Sequence, residues 1–249
     1  MKRLLVIGVG CGDPELVTMQ ASGLIAATDV FVLLDKGDAA TDLLAARRAI
    51  LDRYGRDGHR TVTLADAARD ADAPYADGVR RWHGQRVEGL ERLFAEEVGA
   101  DETAGLLVWG DPALYDSTLR IVDEIRARGR VAFDVEVAAG ISSVQLLAAR
   151  HRIPLHRVGG AVHITTGRNL TERGVEGLDD IVVMLDGAEA FLTLTGEPFD
   201  IFWGAYLGTG DELLVAGPIA DVAATVAHVR REARQRKGWI FDIYYLRRR

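Results

Sequence analysis

The chain has 249 residues, 48% of them hydrophobic, and a formal net charge of −7, which fits one large α/β unit or two small domains. The single cysteine, Cys11, excludes an internal disulfide, and the six histidines show no metal-ligand spacing such as HExxH, so no metal site is legible. The acidic total argues against a protein that coats nucleic acid; the apolar runs break well before the roughly 18 residues of a membrane helix, and the opening MKRLLVIGVG leads into a glycine turn rather than a cleavage site, so a soluble cytoplasmic protein acting on small molecules is expected.

Strand-like runs alternate with helical patterns from the start. Arg3–Gly8 reads as a strand, Pro14–Ala27 as a helix, and Val30–Leu34 as a second buried strand, which makes a βαβ opening. Residues 41–54 place Leu43, Leu44, Ile50, Leu51 and Tyr54 on one stripe, Arg60–Leu64 reads as a strand, and residues 65–75 as a polar loop. Val79, Trp82, Arg86, Leu90, Leu93, Phe94 and Val98 recur at helical spacing over about 76–99. Strands follow at Gly105–Trp109 and Ala132–Val137, separated by a helix at Ser117–Arg128. The domain boundary is expected near residue 137, giving an N-terminal α/β domain over 1–137 with a parallel five-stranded sheet and a C-terminal α/β domain over 138–249.

In the second half Ser142–Arg150 and Asp221–Arg236 read as helices. Ala161–Thr165, Ile181–Leu185, Ile201–Leu207, Glu212–Ala216 and Trp239–Leu246 read as strands. The short connection near Gly208–Asp211 suits antiparallel pairing, so a mixed sheet is expected. All of the net negative charge falls in residues 1–137, with 17 basic against 24 acidic residues; residues 138–249 carry 13 of each.

Three motifs stand at expected strand ends. Gly8-Val9-Gly10-Cys11-Gly12-Asp13-Pro14 partly matches a dinucleotide fingerprint, with Asp35 available for a ribose hydroxyl. Asp13 occupies the anion site such a fingerprint needs, however, and with Pro14 reads as an N-cap followed by a helix-initiating proline. Trp109-Gly110-Asp111-Pro112-Ala113-Leu114-Tyr115-Asp116-Ser117 follows the fourth strand, where parallel sheets bind ligands, with Ser117 able to cap the next helix. Ala138-Ala139-Gly140-Ile141-Ser142-Ser143 follows the fifth. Met184 ends a later strand, and Tyr206-Leu207-Gly208-Thr209 is a hairpin end or a late loop.

The order GxGxGDP, GDPxLY, GISS and a strand ending in Met resembles the tetrapyrrole methylases, two-domain S-adenosylmethionine-dependent enzymes of cobalamin and sirohaem synthesis, over essentially the whole chain. The segments WGDPALYDSTLR, HITTGRNL and WGAYLGTGDELLVAGPI, with VLLDKG and an added segment around 38–75, are most like the deacetylating member of that family. The resemblance implies an active site in the cleft between the two domains. It also implies cofactor contacts from Cys11, Trp109, Gly110, Asp111, Leu114, Ser142, Ser143, Met184, Leu207 and Gly208. Two positions depart from the family pattern: Ala139 stands where proline is common, and Trp109 where a second glycine is frequent. The implied reaction methylates precorrin-5 at ring carbon 1 and releases the acetyl group as acetate; the family commonly forms homodimers.

Methyl transfer from a sulfonium needs positioning more than a base, whereas acetyl loss needs an activated water. Asp35, Asp111 and Tyr115 are the candidate catalytic groups. A polycarboxylate substrate calls for cations: Lys36, Arg168, and Arg47 and Arg48 on the helix after Lys36 are candidates, of which Lys36 and Arg168 each sit beside a glycine at a strand end, while Arg47 and Arg48, taken singly, read better as solvated helix arginines. Two other readings stay open, another precorrin methylase of the same family and a dinucleotide-dependent oxidoreductase built on Gly8–Asp13 and Asp35. A cofactor-sensing module without activity is a third, which the full set of strand-end motifs disfavours.

Overall fold

Apolar, β-branched runs separated by amphipathic helices build two sheets in a computed structural model that describes residues 1–35, 41–65 and 75–249. Of the loop expected at 65–75, residue 65 ends a strand and residue 75 begins a helix; residues 66–74, and Lys36, lie outside the described residues. The chain divides into two compact units, Met1–Ser142 and Ser143–Arg249. The division falls a few residues beyond position 137 because the segment after the fifth strand is hydrogen-bonded to the first unit, Gly140 N donating to Asp111 and Cys11 Sγ to the Ile141 carbonyl.

The first unit is an all-parallel sheet of β1 (Arg3–Gly8), β2 (Val30–Asp35), β3 (Arg60–Ala65), β4 (Thr103–Val108) and β5 (Asp134–Ala138), in the order β3-β2-β4-β1-β5. Both faces are covered, as a parallel sheet requires. Helices α1 (Met19–Ala26) and α2 (Thr41–Tyr54) pack on one face through Ile25, Ile50 and Leu51. On the other face lie α3 (Tyr75–Glu96) and α4 (Thr118–Arg128), through Val87, Leu90, Phe94, Ile121 and Ile125.

The second unit is a mixed sheet of β6 (His163–Thr166), β7 (Asp180–Met184), β8 (Phe199–Ala205), β9 (Leu213–Pro218) and β10 (Asp242–Arg248), ordered β6-β7-β10-β8-β9. Only β6 and β7 run parallel; β8 and β9 form the expected antiparallel hairpin. Helices α5 (Ser143–His151), α6 (Gly167–Arg173) and α7 (Ile219–Lys237) complete the unit, and α7 buries Ile219, Ala223, Val226 and Ala227 against the sheet.

Four local expectations are corrected. Residues 14–27 are not one helix: Pro14–Leu16 forms a 3₁₀ turn capped by Asp13, and α1 starts afresh at a second cap, Thr18, whose hydroxyl accepts from Ala21 N at 3.1 Å. Ser117 makes no side-chain cap; Asp116 Oδ1 accepts from Thr118 N at 2.6 Å instead. Helix α6 was not foreseen, because Leu170 is its one buried apolar residue. The last strand begins at Asp242 rather than Trp239, whose ring packs edge-on against Tyr206 at 5.0 Å. Ile243 and Tyr245 are core residues of that strand.

Candidate active site

Because β4, β1 and β5 are neighbours, the three glycine motifs, far apart in sequence, emerge side by side at one sheet edge. Glycine packs these loops together. Gly10 and Gly110 form an antiparallel bridge, Gly110 N donating to Gly10 O at 2.7 Å and Gly10 N to Gly110 O at 3.2 Å. A Cβ on Gly8 would lie 2.5 Å from Gly140 N, and one on Gly140 would collide with the Gly110 carbonyl. Only residues without a side chain let three backbones meet so closely.

Asp111 fastens the arrangement. Its Oδ1 accepts from Ala113 N at 2.8 Å, turning its own loop, and its Oδ2 accepts from Gly140 N at 2.9 Å, tying the β4 loop to the β5 loop. Cys11 is 2% exposed and its thiol points to the Ile141 carbonyl at 3.9 Å. Trp109, half-buried, lays its ring edge over Gly12, where a Cβ would lie 2.7 Å from the indole. Gly12 thus accommodates the tryptophan at 109. Leu114 is half-buried, Ser142 buried, and Ser143 begins α5. Asp13 Oδ1 accepts from Glu15 N at 2.8 Å, so a carboxylate occupies the anion site of the first turn, which disfavours a pyrophosphate there.

Backbone strain marks the same loops. Tyr115, with φ of 51°, is a non-glycine residue in the left-handed region, as are Leu185 at 53°, Glu189 at 57° and Tyr206 at 50° in the second unit. Such positions cost about 1–3 kcal/mol each and persist where surrounding structure fixes them. Tyr115 is 42% exposed, and burial of part of its ring pushes the phenol's pKa up.

In the second unit Met184 ends β7, half-buried, followed by strained Leu185 and by Asp186. The Asp186 carboxylate accepts from Ala188 N at 3.1 Å, Ala190 N at 2.7 Å and the Tyr244 hydroxyl at 2.8 Å, while Gly167 leaves it room by lacking a Cβ. Arg230 reaches the Asp186 carbonyl at 2.7 Å and pairs with Asp242 at 2.8 Å and Glu189 at 3.3 Å. Sequence reasoning missed this network, since only Asp186 stands beside a strand-end motif. Leu207 is buried, and Gly208 N donates to Glu212 Oε2 at 2.9 Å. Arg168 is exposed in the first turn of α6. Asp35 closes β2, paired by its backbone with Ala65.

Residues 3–223 match the model of the tetrapyrrole (corrin/porphyrin) methylases. The chain belongs to this family. Among curated tetrapyrrole methylases it is 46% identical over 250 aligned residues to precorrin-6A synthase [deacetylating] of Sinorhizobium sp, with 100% of this chain and 96% of that protein covered. Among solved structures it is similar to a cobalamin synthesis related protein, CobF, of Corynebacterium diphtheriae, at 39% identity and a TM-score of 0.85, covering 99% of this chain and 98% of the other. It also shares its fold, at 19% identity and a TM-score of 0.59, with a Thermus thermophilus uroporphyrin-III C-methyl transferase solved with S-adenyl homocysteine, covering 98% and 91%. Among its described residues this tetrapyrrole methylase has no helix long and apolar enough to cross a membrane.

Proposed function

We propose that this chain is an S-adenosylmethionine-dependent C-methyltransferase of cobalamin biosynthesis that methylates precorrin-5 at ring carbon 1, releasing acetate to give precorrin-6A. The observation that carries this reading is its 46% identity, over its full length, to a deacetylating precorrin-6A synthase. We read it as a cytoplasmic enzyme working as a homodimer, as the family resemblance implies.

The first unit's loops fit the cofactor. Gly110, with φ of 71°, would bring a Cβ no nearer than 3.9 Å to any other group, so its surface is open to a ligand, and the glycine-built edge presents main chain rather than side chains. Oriented peptide dipoles suit a sulfonium, which carries no phosphate. Cys11, Trp109, Gly110, Asp111, Leu114 and Ser142 of the first unit would hold it, with Ser143, Met184, Leu207 and Gly208 of the second carried over in the same role. Bound there, the cofactor would supply an electrophilic methyl group whose sulfur leaves as a neutral thioether. The protein's contribution to that step is alignment, worth roughly 7–11 kcal/mol when donor and acceptor are held at near-attack distance.

Acetate release needs a base and a donor to the acetyl oxygen. Both Asp111 oxygens already accept backbone N–H groups, which supports a positioning role. Tyr115, its phenol held protonated, suits the donor. Asp35 is then the base among the three candidates. Incubating the protein with precorrin-5 and S-adenosylmethionine tests both levels: acetate is expected in step with methyl transfer, and Asp35→Asn is expected to stop acetate formation without loss of cofactor affinity. Methylation without acetate would assign a different precorrin methylase. Tight binding of NAD with no calorimetric response to S-adenosylhomocysteine would end the methyltransferase reading.

A further inference from the structure

Strands β2 and β4 pair from Val30 and Ala104 as far as Val32 and Leu106. Beyond that point β2 continues along β3 as far as Asp35, and β4 continues along β1 as far as Val108. The helices that follow the two strands leave on opposite faces, α2 with α1 and α4 with α3. A parallel sheet opens a ligand crevice at such a reversal.

Arg47 stands at this opening. It lies on the inward stripe of α2, one turn from Leu43 and one from Ile50 and Leu51, all buried. Its Nε lies 3.4 Å from the carbonyl of Leu107, the first β4 residue beyond the β2 pairing, and its Nη1 lies 3.4 Å from the Leu43 carbonyl. Both are long for hydrogen bonds from a charged donor. Burial pushes the guanidinium's pKa down, and Asp116, in the loop after β4, pulls it partly back. Asp116 is not within ion-pair distance, and among the described residues no carboxylate is. Arg230, another arginine set into a core-facing helix stripe, has Asp242 at 2.8 Å and Glu189 at 3.3 Å. A cation partly withdrawn from water without a counter-charge is destabilising unless something else neutralises it. Here the neutral partners are two carbonyls, which leave the outer edge of the fork uncommitted at a crevice two residues from Trp109.

We propose that Arg47 is a carboxylate receptor of the active site, taking one acetate or propionate arm of the tetrapyrrole in a two-pronged hydrogen bond at the split between β2 and β4. The proposal rests on the reading of the substrate as a polycarboxylate tetrapyrrole. The same chemistry exists in the cofactor's amino-acid carboxylate, so the test separates the two.

The probes are uroporphyrin, a stable tetrapyrrole octacarboxylate, followed by fluorescence quenching, and S-adenosylhomocysteine, followed by calorimetry, on the full chain. Arg47→Gln is expected to weaken uroporphyrin binding by roughly ten- to a hundredfold, the worth of a hydrogen bond between charged groups. It should raise the KM for precorrin-5 by a similar factor, with kcat and S-adenosylhomocysteine affinity unchanged. Arg47→Lys keeps the charge without the fork and is expected to fall in between; it also serves if the glutamine variant fails to fold. Wild-type affinity for uroporphyrin in both variants overturns the proposal, and so does a loss confined to S-adenosylhomocysteine, which assigns Arg47 to the cofactor. A wild-type protein that neither binds uroporphyrin nor turns over precorrin-5 refutes the substrate reading itself, a result distinct from failure of the Arg47 variants alone.

Discussion

Asp111 and Asp186 share a design. Each follows a strand and spends its carboxylate on backbone N–H groups, Asp111 in its own loop and in the β5 loop, Asp186 in its own loop, where Gly167 leaves it room. An amide at position 111 has one acceptor oxygen and would face one of its two N–H partners with an NH₂ group. Asp111→Asn is therefore expected to cost about 1–3 kcal/mol, seen as a lower Tm and weaker S-adenosylhomocysteine binding. The pH profile of kcat should keep its shape, because a fastening residue takes no part in the catalytic proton transfers; loss of its low-pH limb would instead make Asp111 the base. Neither role is legible in sequence, since Asp111 and Gly140 are 29 positions apart and nothing in a GDP or AAG tripeptide reveals that one holds the other. Arg47 was obscured in the opposite way. A lone charge in an apolar stripe reads as a solvated helix residue until the strand beneath it is seen to part from its neighbour.

At the scale of elements, capping and burial give separable expectations. The side chain of Asp116, not that of Ser117, satisfies the first turn of α4. Asp116→Ala should cost about 1 kcal/mol, and Ser117→Ala much less; thermal melts of the two variants make the comparison. Strand β10 carries Tyr244 and Tyr245, both with phenol pKa values raised chiefly by burial, Tyr245 to about 12 and Tyr244 well above its ordinary value of 10. Below pH 10 both phenols are neutral in folded and unfolded chains alike. Above it the unfolded chain ionises first, so stability falls as the pH rises from about 10 through 12. Tyr245→Phe should flatten that decline, measured as Tm against pH. Most strands were readable because they are apolar or β-branched runs bounded by turn residues; α6 was not, because Thr166 caps it and Gly167 packs on Asp186, and neither contact is a periodicity.

At the scale of the whole chain, two sheets of different character were foreseeable from connection lengths: long helical crossovers enforce parallel strands in the first unit, and the short turn after Tyr206 permits a hairpin in the second. Less visible was which loops the strand order would place side by side, because order in a sheet is fixed by long-range packing. If the loops hold the cofactor, S-adenosylhomocysteine at about a hundredfold its Kd should stabilise the folded chain by about 2.7 kcal/mol, raising Tm by roughly 5–10 °C; an unchanged melt would count against cofactor binding. The Gly10–Gly110 bridge carries a consequence for biosynthesis of the protein itself. It joins residues a hundred positions apart, so no nascent chain that ends before β4 has left the ribosome can form the surface proposed to hold the cofactor. The cofactor therefore cannot act as a template for the earliest folding of this chain and can only secure a sheet that has already assembled.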